Sequence, residues 1–218
     1  TGEDTLSLHD ALPISTNIEN PGFSTPEHIV HESLEEIVRT MTGRMIMGMF
    51  ASHAFRIAKV IEACEKYGKK VVIEGRSMKS NVDIIKYLKL TEVEGVIIPI
   101  TEMQNYPPDR IILLVTGAQG EEFAALNCAA NKSHAKFKLQ KGDTIILSAS
   151  IVPGNERQVQ KMKDGLSRQG VKIISYRTPG EDFVHATGHG NKEDIKWLHR
   201  KINEKFFIPI QDRKSTRL

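Results

Sequence analysis

The length, composition and charge of the chain restrict the classes of protein to which it could belong. Its 218 residues are 39% hydrophobic and 26% charged, as in an ordinary globular protein of one domain, or of one domain and part of another. No apolar run approaches the roughly 18 residues that span a bilayer, and the N-terminus lacks a signal-peptide pattern, so we expect neither a membrane protein nor a secreted one. The two cysteines, Cys64 and Cys128, fit a reducing compartment, and the net charge of +3 permits a polyanionic partner without requiring one.

Helices and strands are predicted to alternate along the chain. The first helix begins at Thr25-Pro26-Glu27, with Thr25 as N-cap and Pro26 as the first helical residue, and it ends before Gly43. Further helices are predicted at 53–68, 80–90, 121–131 and 155–170, and strands at 44–50, 70–75, 110–117, 143–150 and 171–176. The strands are apolar throughout, without period-two alternation. This pattern predicts an α/β fold in which a parallel sheet has helices on both faces.

Four strand–helix junctions, at Ser52, Arg76, Gly117 and Gly154, carry small residues, hydroxyl groups and arginines. The carboxyl ends of parallel strands meet at one edge of a sheet, so we expect these junctions to line one cleft. Free backbone N–H groups, helix N-termini and guanidinium groups suit a phosphate-bearing ligand, and the candidate phosphate-binding residues there are Ser52, Arg56, Arg76 and Ser77. At any single junction, an ordinary structural role as N-cap or turn former is the competing interpretation.

Five blocks of the sequence resemble, in the same order, successive blocks of the ribonuclease J family. Together with STNIENPGF (15–23), which resembles the segment just before the family's inserted domain, they cover nearly everything from residue 15 to 210. The blocks TGxQGE and PGNE are not shared with other β-CASP proteins such as the polyadenylation-factor nucleases. The five blocks are FASHAFRIAKVIEACEKYGKKVVIEGRSM (50–78), TGAQGEEFAAL (116–126), GDTIILSASIVPGNE (142–156), VHATGHGNKEDIKWL (184–198) and KFFIPI (205–210).

The resemblance implies a fold and an activity. Members of this family are metallo-β-lactamase-fold nucleases that carry an inserted β-CASP domain. We therefore expect the parent protein to be a cytoplasmic exo/endoribonuclease that degrades and matures RNA with two zinc ions (Zn2+). The resemblance also implies 5′-monophosphorylated single-stranded RNA as the partner, a homo-oligomeric parent and no membrane partner.

The segment VHATGHG (184–190) is too rich in glycine to hold a stable helix, and it resembles the family's His-x-Ser-Gly-His loop. The resemblance implies that His185, Thr187 and Gly188 help to hold the phosphate of the RNA. Thr187 replaces the serine and keeps its hydroxyl group. His189 would then assist catalysis beside the metal centre, by hydrogen bonding or proton transfer at the scissile phosphate. Two other interpretations remain open: histidines that only cap loops, and a local metal pair, for which no third ligand stands nearby.

The two ends of the chain do not resemble the family. TLSLHDALPI (5–14) and QDRKSTRL (211–218) look like translated sequencing adaptors. We expect residues 1–14 and 212–218 to pack poorly and to hold no regular sheet position. The predicted segments are an adaptor-like stretch at 1–14, a metallo-β-lactamase remnant at 15–33, the β-CASP domain at 34–180, a return segment of the metallo-β-lactamase domain at 181–210 and a second adaptor-like stretch at 211–218.

Both adaptor junctions fall on positions that the resemblance marks as functional. Ile14 stands where the family has the aspartate that partners the loop histidine, and Gln211 stands at the position of a zinc-ligand histidine. The family's His-x-His-x-Asp-His block has no counterpart in this sequence. We therefore expect that the fragment holds no zinc pair and is itself inactive.

Two residues inside the matching blocks depart from the family pattern. His53 replaces a family asparagine, which puts an RNA or interdomain contact there in doubt, and Glu122 replaces a proline.

Two rival functions remain open. One is a non-catalytic β-CASP module that only binds RNA. The other is a nucleotide-binding α/β protein, which would need GxGxxG or GxxxxGK, and neither pattern is present.

Overall fold

The structure, a computed structural model, describes residues 10–11, 16–175, 183–202 and 206–207. Two compact units are distinguished: one is Glu27–His185, and the other combines Thr1–Pro26 with Ala186–Leu218. Two short 3-10 helices, Ile100–Asn105 and Pro108–Arg110, also occur in the first unit. The remaining elements are β1 (Asp10–Ala11), α1 (Glu27–Thr40), β2 (Met45–Met49), α2 (Ala54–Lys66), β3 (Lys70–Glu74), α3 (Arg76–Tyr87), β4 (Ile111–Val115), α4 (Ala125–Ala130), β5 (Thr144–Ser148), α5 (Glu156–Ser167), β6 (Lys172–Ser175), α6 (Lys192–Ile202) and β7 (Phe206–Phe207).

The unit Glu27–His185 is built on a five-stranded sheet with the order β3-β4-β2-β5-β6. Every neighbouring pair is parallel, and β2 lies at the centre, with Met45 opposite Ile112 of β4 on one side and opposite Thr144 of β5 on the other. Helix α2 packs against α1 and α3, whereas α4 packs against α5. The predicted α/β fold, a parallel sheet flanked by helices, is therefore confirmed.

Apolar strands and amphipathic helices account for the core of this unit. All five residues of β2 and of β4 are buried, as expected for strands covered on both faces. Gly48 in β2 lets α4 approach closely, because a Cβ atom there would lie 2.8 Å from a methyl carbon of Leu126. One cluster of buried side chains joins the inner strands to α4 and α5 through Leu126, Val159 and Met162.

A buried ion pair closes the amino-terminal edge of the sheet. Arg44, just before β2, donates from Nε and Nη2 to the two carboxylate oxygens of Asp143, just before β5, at 3.1 and 2.6 Å. The Nη2 group also donates to the carbonyl oxygen of Lys138, and the backbone N–H of Gln140 donates to Asp143. The pair therefore fastens the loop between α4 and β5 to the start of the central strand.

Three local features differ from the sequence-based expectation. Helix α3 begins at Arg76, four residues earlier than predicted, because Gly75 ends β3 and caps the helix with φ of +113°. Helix α4 covers only Ala125–Ala130 of the predicted 121–131. The two 3-10 helices, in a segment with three prolines between α3 and β4, were not predicted.

One prediction for the unit that holds both ends of the chain is wrong. We predicted that residues 1–14 hold no regular sheet position, but Asp10–Ala11 pair in parallel with Phe206–Phe207. A ladder of two residues needs only main-chain N–H and C=O groups, so it can form without side chains selected for packing. Ile14, Gln211 and the other adaptor-like residues lie outside the described residues, and the division into five segments stays a prediction.

The carboxylate of Asp194 caps the start of helix α6 in this second unit. The Asp194 carboxylate accepts the backbone N–H groups of Asn191 and Ser24, at 2.8 and 2.7 Å. Burial raises the pKa of Asp194, but these two hydrogen bonds outweigh it and leave the pKa below its ordinary value. Within the described residues of the whole chain, no helix is long and apolar enough to cross a membrane.

Candidate functional site

The carboxyl-terminal edge of the sheet brings the four predicted junctions together. The strands are parallel, so the loops that contain Ser52, Arg76, Gly117 and Gly154 all leave from this edge, as predicted. The connection after β2 leads to β3 at one end of the sheet, and the connection after β5 leads to β6 at the other. Crossovers of one hand then place α2 and α5 on opposite faces, which opens a crevice between the ends of β2 and β5.

Arg56 occupies this crevice and is almost completely buried. It lies in the first turn of α2, and its guanidinium group makes a bidentate ion pair with Glu27, the first residue of α1, at 2.7 and 2.6 Å. Its Nη1 group lies 3.1 Å from Oγ of Ser148, the last residue of β5, and 2.9 Å from Nδ1 of His185. Arg56 therefore joins the start of its own helix to the start of α1, the end of β5 and the VHATGHG segment.

The arginine fixes the protonation state of His185. A guanidinium group only donates hydrogen bonds, so Nδ1 of His185 accepts and the imidazole carries its proton on Nε2. Burial lowers the pKa of His185 to about 4, and the charges of Arg56 and His53 act in the same direction. His185 is therefore a neutral hydrogen-bond donor near neutral pH, rather than a proton-transfer group.

Two neighbours complete this cluster. The ring of His53 stacks on that of His185, with centroids 6.0 Å apart and an interplanar angle of 14°. Burial lowers the pKa of His53, and the charge of Arg56 lowers it further. Burial raises the pKa of Glu27, but its hydrogen bond and charge interaction with Arg56 outweigh this and keep the pKa below the ordinary value. Glu27 thus stays ionised and compensates the buried guanidinium charge.

The remaining predicted residues of the first unit lie elsewhere on the same edge. Ser52 is exposed in the turn before α2, and the N-cap of that helix is His53. Arg76 and Ser77 are exposed in the first turn of α3, after the edge strand β3. Strand β4 lies between β3 and β2, a separation of about 10 Å for two strand spacings, so Arg76 and Ser77 do not join the Arg56 cluster.

The VHATGHG segment continues into the second unit, where Thr187 organises it. The Thr187 hydroxyl oxygen accepts the backbone N–H of His189 at 3.2 Å and the side-chain amide of Asn17 at 3.4 Å. The same amide donates to the carbonyl oxygen of His189. Gly188 is exposed and lines an open, mostly apolar cavity of about 660 Å³ with Phe23 and Trp197.

His189 presents an unused ring nitrogen. Its Nδ1 atom is buried and has no hydrogen-bond partner among the residues that the structure describes. Such a nitrogen is suited to accept a proton, a ligand contact or a metal ion. In the described ranges, however, no three histidine, cysteine or carboxylate side chains lie close enough to hold a metal ion, so these residues do not fit a zinc pair.

Sequence reasoning missed two members of the Arg56 cluster and one loop contact. Glu27 was noted only as part of a helix start, and Ser148 lay within a predicted strand without a role of its own. The buried side chain of Gln119 donates to the carbonyl oxygen of Ser150 at 2.7 Å and accepts the N–H of Val152 at 2.8 Å, which ties the loops after β4 and β5 together. The buried charge of Arg56, 29 residues away, is what gives Glu27 its importance, and spacing alone cannot reveal it.

Comparison with known proteins identifies the family. The sequence model described as "Ribonuclease J, beta-CASP domain" matches residues 42–166. The chain is 35% identical over 205 residues to ribonuclease J of Mycoplasma genitalium, covering 94% of this chain and 36% of that protein. It is 35% identical over 195 residues to ribonuclease J of Thermus thermophilus, with coverages of 89% and 34%. It is 30% identical over 200 residues to ribonuclease J2 of Bacillus subtilis, with coverages of 91% and 35%.

These relatives are much longer than the chain. The chain spans about a third of the length of the curated relatives that it matches. The matched range 42–166 contains β2 to α4, β5 and most of α5, and thus four of the five strands of the parallel sheet. The resemblance drawn from the sequence blocks is confirmed: this chain belongs to the ribonuclease J family and carries the beta-CASP domain of that family.

Proposed function

We propose that this chain is part of a longer, cytoplasmic ribonuclease of the ribonuclease J type, which hydrolyses RNA in degradation and maturation. The family match over residues 42–166 carries the proposal. The substrate that we propose is single-stranded RNA with a 5′-monophosphate, and the longer protein would work as a homo-oligomer. Zinc is assigned to that longer protein, where it would supply an activated water and a Lewis acid.

The residues of this chain would bind and orient the RNA. Neutral His185 would line the phosphate site, while Arg56 and Glu27 hold its ring in one orientation. The Thr187 hydroxyl and the backbone of Gly188 would contact the phosphate, and His189 would assist the reaction through its free ring nitrogen. Ser52, Arg76 and Ser77 would contact phosphates farther along the carboxyl edge. Because Arg56 is already paired, we propose that it orients His185 instead of binding phosphate itself.

The expected consequence is that the chain alone is inactive. A two-zinc hydrolytic site needs several histidines and carboxylates that converge from different strands. Gln211→His would restore one such side chain, so neither the unaltered chain nor this variant should cleave RNA in the presence of zinc. RNA binding without cleavage should persist and should weaken as salt rises, because phosphate contacts release counterions.

An assay with 5′-monophosphorylated RNA and zinc or manganese tests the proposal. It compares the chain, its Gln211→His variant and a chain extended by the N-terminal half of a homologous ribonuclease J. We expect metal-dependent turnover in the extended chain alone. Turnover by either of the first two would show that the fragment is complete for catalysis, and an extended chain that folds without turnover would refute the assignment as a ribonuclease.

A further inference from the structure

The phenylalanines of the Glu27–His185 unit are distributed unevenly. Phe137 is buried and Phe50 is half-buried, but Phe55, Phe123 and Phe183 are 70%, 89% and 58% exposed. A single exposed apolar ring is ordinary on a protein surface, but several rings at one edge of a unit can mark a binding surface. Their positions decide which kind of partner fits.

The three rings lie at the carboxyl edge of the sheet. Phe55 is in the first turn of α2, directly after β2, and Phe123 is in the loop between β4 and α4. Strands β2 and β4 are hydrogen-bonded neighbours, so these two rings leave from adjacent strand ends. Phe183 precedes His185, which contacts Arg56 in the same crevice. By contrast, the exposed Tyr87 lies at the far end of α3, towards the amino edge.

Cationic side chains occupy the same edge. Lys79 and Lys136 are half-exposed, and their ammonium groups approach the carboxylate of Glu74 at 3.5 and 3.1 Å. Glu74 is buried at the carboxyl end of β3, so one carboxylate holds two ammonium groups in place and leaves the group net positive. Arg76, also exposed, starts the helix that follows.

Flat apolar rings and fixed cations at the same edge of the sheet match the chemistry of a single-stranded nucleic acid. Every base has an apolar face that can stack on a phenylalanine, and each nucleotide carries one phosphate for a nearby cation. In a duplex these faces are covered by the neighbouring bases. A protein partner would instead favour a contiguous apolar patch, whereas here the rings leave from separate loops interspersed with charge.

We infer that Phe55 and Phe123 are stacking sites for successive bases of single-stranded RNA, with Arg76 and Lys79 contacting its backbone and Phe183 flanking the path. This inference rests on the proposed function, since RNA is the partner. It adds the residues that distinguish single-stranded from double-stranded RNA. Because stacking tolerates any base, the surface selects for unpaired RNA and not for a sequence.

The test measures binding of a fluorescein-labelled single-stranded RNA of about 12 nucleotides, within the usual range of site sizes, to the full chain by anisotropy. Phe55→Ala and Phe123→Ala should each weaken binding about tenfold, as expected for the loss of one stacked base. Tyr87→Ala removes an equally exposed ring outside the edge and should leave the affinity unchanged. Each removed ring is exposed, so folding should be preserved, and far-UV circular dichroism checks this.

The salt dependence separates stacking from charge. The phenylalanine variants should shift the plot of log K against log salt without changing its slope, because no phosphate contact is lost. Lys79→Gln leaves Lys136 to hold Glu74, and it should lower the slope by about 0.7. Phe55→Trp, unlike Phe55→Ala, should bind RNA as the unaltered chain does. The indole fluorescence of the new tryptophan should be quenched when RNA is added, beyond any change from Trp197.

Each outcome bears on a different claim. If the unaltered chain binds no RNA at all, the RNA partner of the proposed function fails, and the inference fails with it. If the chain binds but both alanine variants behave like Tyr87→Ala, the inference alone is overturned. The inference would also be overturned if the phenylalanine variants lost as much affinity for the same RNA annealed to its complement. It would equally be overturned if these variants abolished binding of a protein at this edge while RNA binding persisted.

Discussion

At the scale of single residues, the hydrogen bond between Arg56 and His185 has a consequence for acid stability. The pKa of His185 is about 4 in the folded unit, against an ordinary value of 6.5, because of burial first and the charge of Arg56 second. An unfolded chain therefore binds a proton between pH 6.5 and 4 that the folded chain does not bind. Stability that is fully present above pH 6.5 is lost as the pH falls through this window.

We predict that acidification from pH 7 to pH 4 lowers the free energy of unfolding by roughly 3 kcal/mol through His185 alone. His53, whose pKa is also lowered by burial, should add to the loss. Urea unfolding at pH 8, 7, 5.5 and 4 gives the measurement, with almost no loss expected between pH 8 and 7. His185→Asn keeps an acceptor for Arg56 but cannot titrate. It should flatten the pH dependence, and an unchanged slope in this variant would contradict the assignment.

The Arg56 cluster also shows which residue-level features a sequence can predict. Arg56 and His185 were each predicted, Arg56 by its junction and His185 by resemblance. Their contact was not predicted, because 129 residues separate them and the sheet order decides that they meet. Glu27 was overlooked, since an acid in a first helical turn has an ordinary explanation in the helix dipole.

At the scale of elements, the ion pair of Arg44 and Asp143 fastens a loop to the central strand. We predict that Asp143→Ala lowers the free energy of unfolding by about 3–5 kcal/mol, because it leaves a buried guanidinium group without its counter-charge. Glu36→Ala breaks an exposed pair with Arg39 and should change stability far less. Chemical denaturation of both variants provides the comparison.

A double replacement distinguishes the ion pair from simple loss of packing. Arg44→Met with Asp143→Leu removes both charges and fills the space with apolar atoms, so it should recover much of the stability lost in Asp143→Ala. If the double variant is as unstable as the single one, the cost arises from lost packing, and the electrostatic explanation is incorrect.

The elements themselves were predicted to different extents for physical reasons. The strands of the sheet were found because fully buried strands are continuous apolar runs, which need no knowledge of their neighbours. The start of α3 was placed too late, since Arg76 and Ser77 resemble loop residues until Gly75 is seen to end the strand. The strand order depends on long-range pairing, which the local pattern does not encode.

At the scale of the whole molecule, the Glu27–His185 unit contains its own core. The buried cluster around α4 and α5 lies within residues 46–166, and the buried side chains of α1 and α2 also belong to this unit, so the unit has the apolar burial of an independent domain. We predict that residues 25–185, which keep Thr25 and Pro26 at the start of α1, fold without the rest of the chain. Thermal unfolding followed by far-UV and near-UV circular dichroism should show one cooperative transition with coincident midpoints.

Two results would contradict that prediction. The first is a truncated chain that keeps its helical signal but loses near-UV signal and binds a hydrophobic dye, as in a molten globule. The second is recovery of cooperative unfolding only when residues 186–202 are added back, which would make them part of the folding unit.

The central position of β2 governs the order in which this domain can assemble on the ribosome. Met45 is synthesised before both of its strand partners, and Ile112 and Thr144 follow about 70 and 100 residues later. Until then, this fully buried central strand has nothing to pair with on either side. A nascent chain of this topology therefore passes through a long interval in which β2 is open to aggregation and to chaperones, and its folding should be slow compared with that of a protein built from local contacts. Selection on such a sequence acts on the half-made chain as well as on the finished protein.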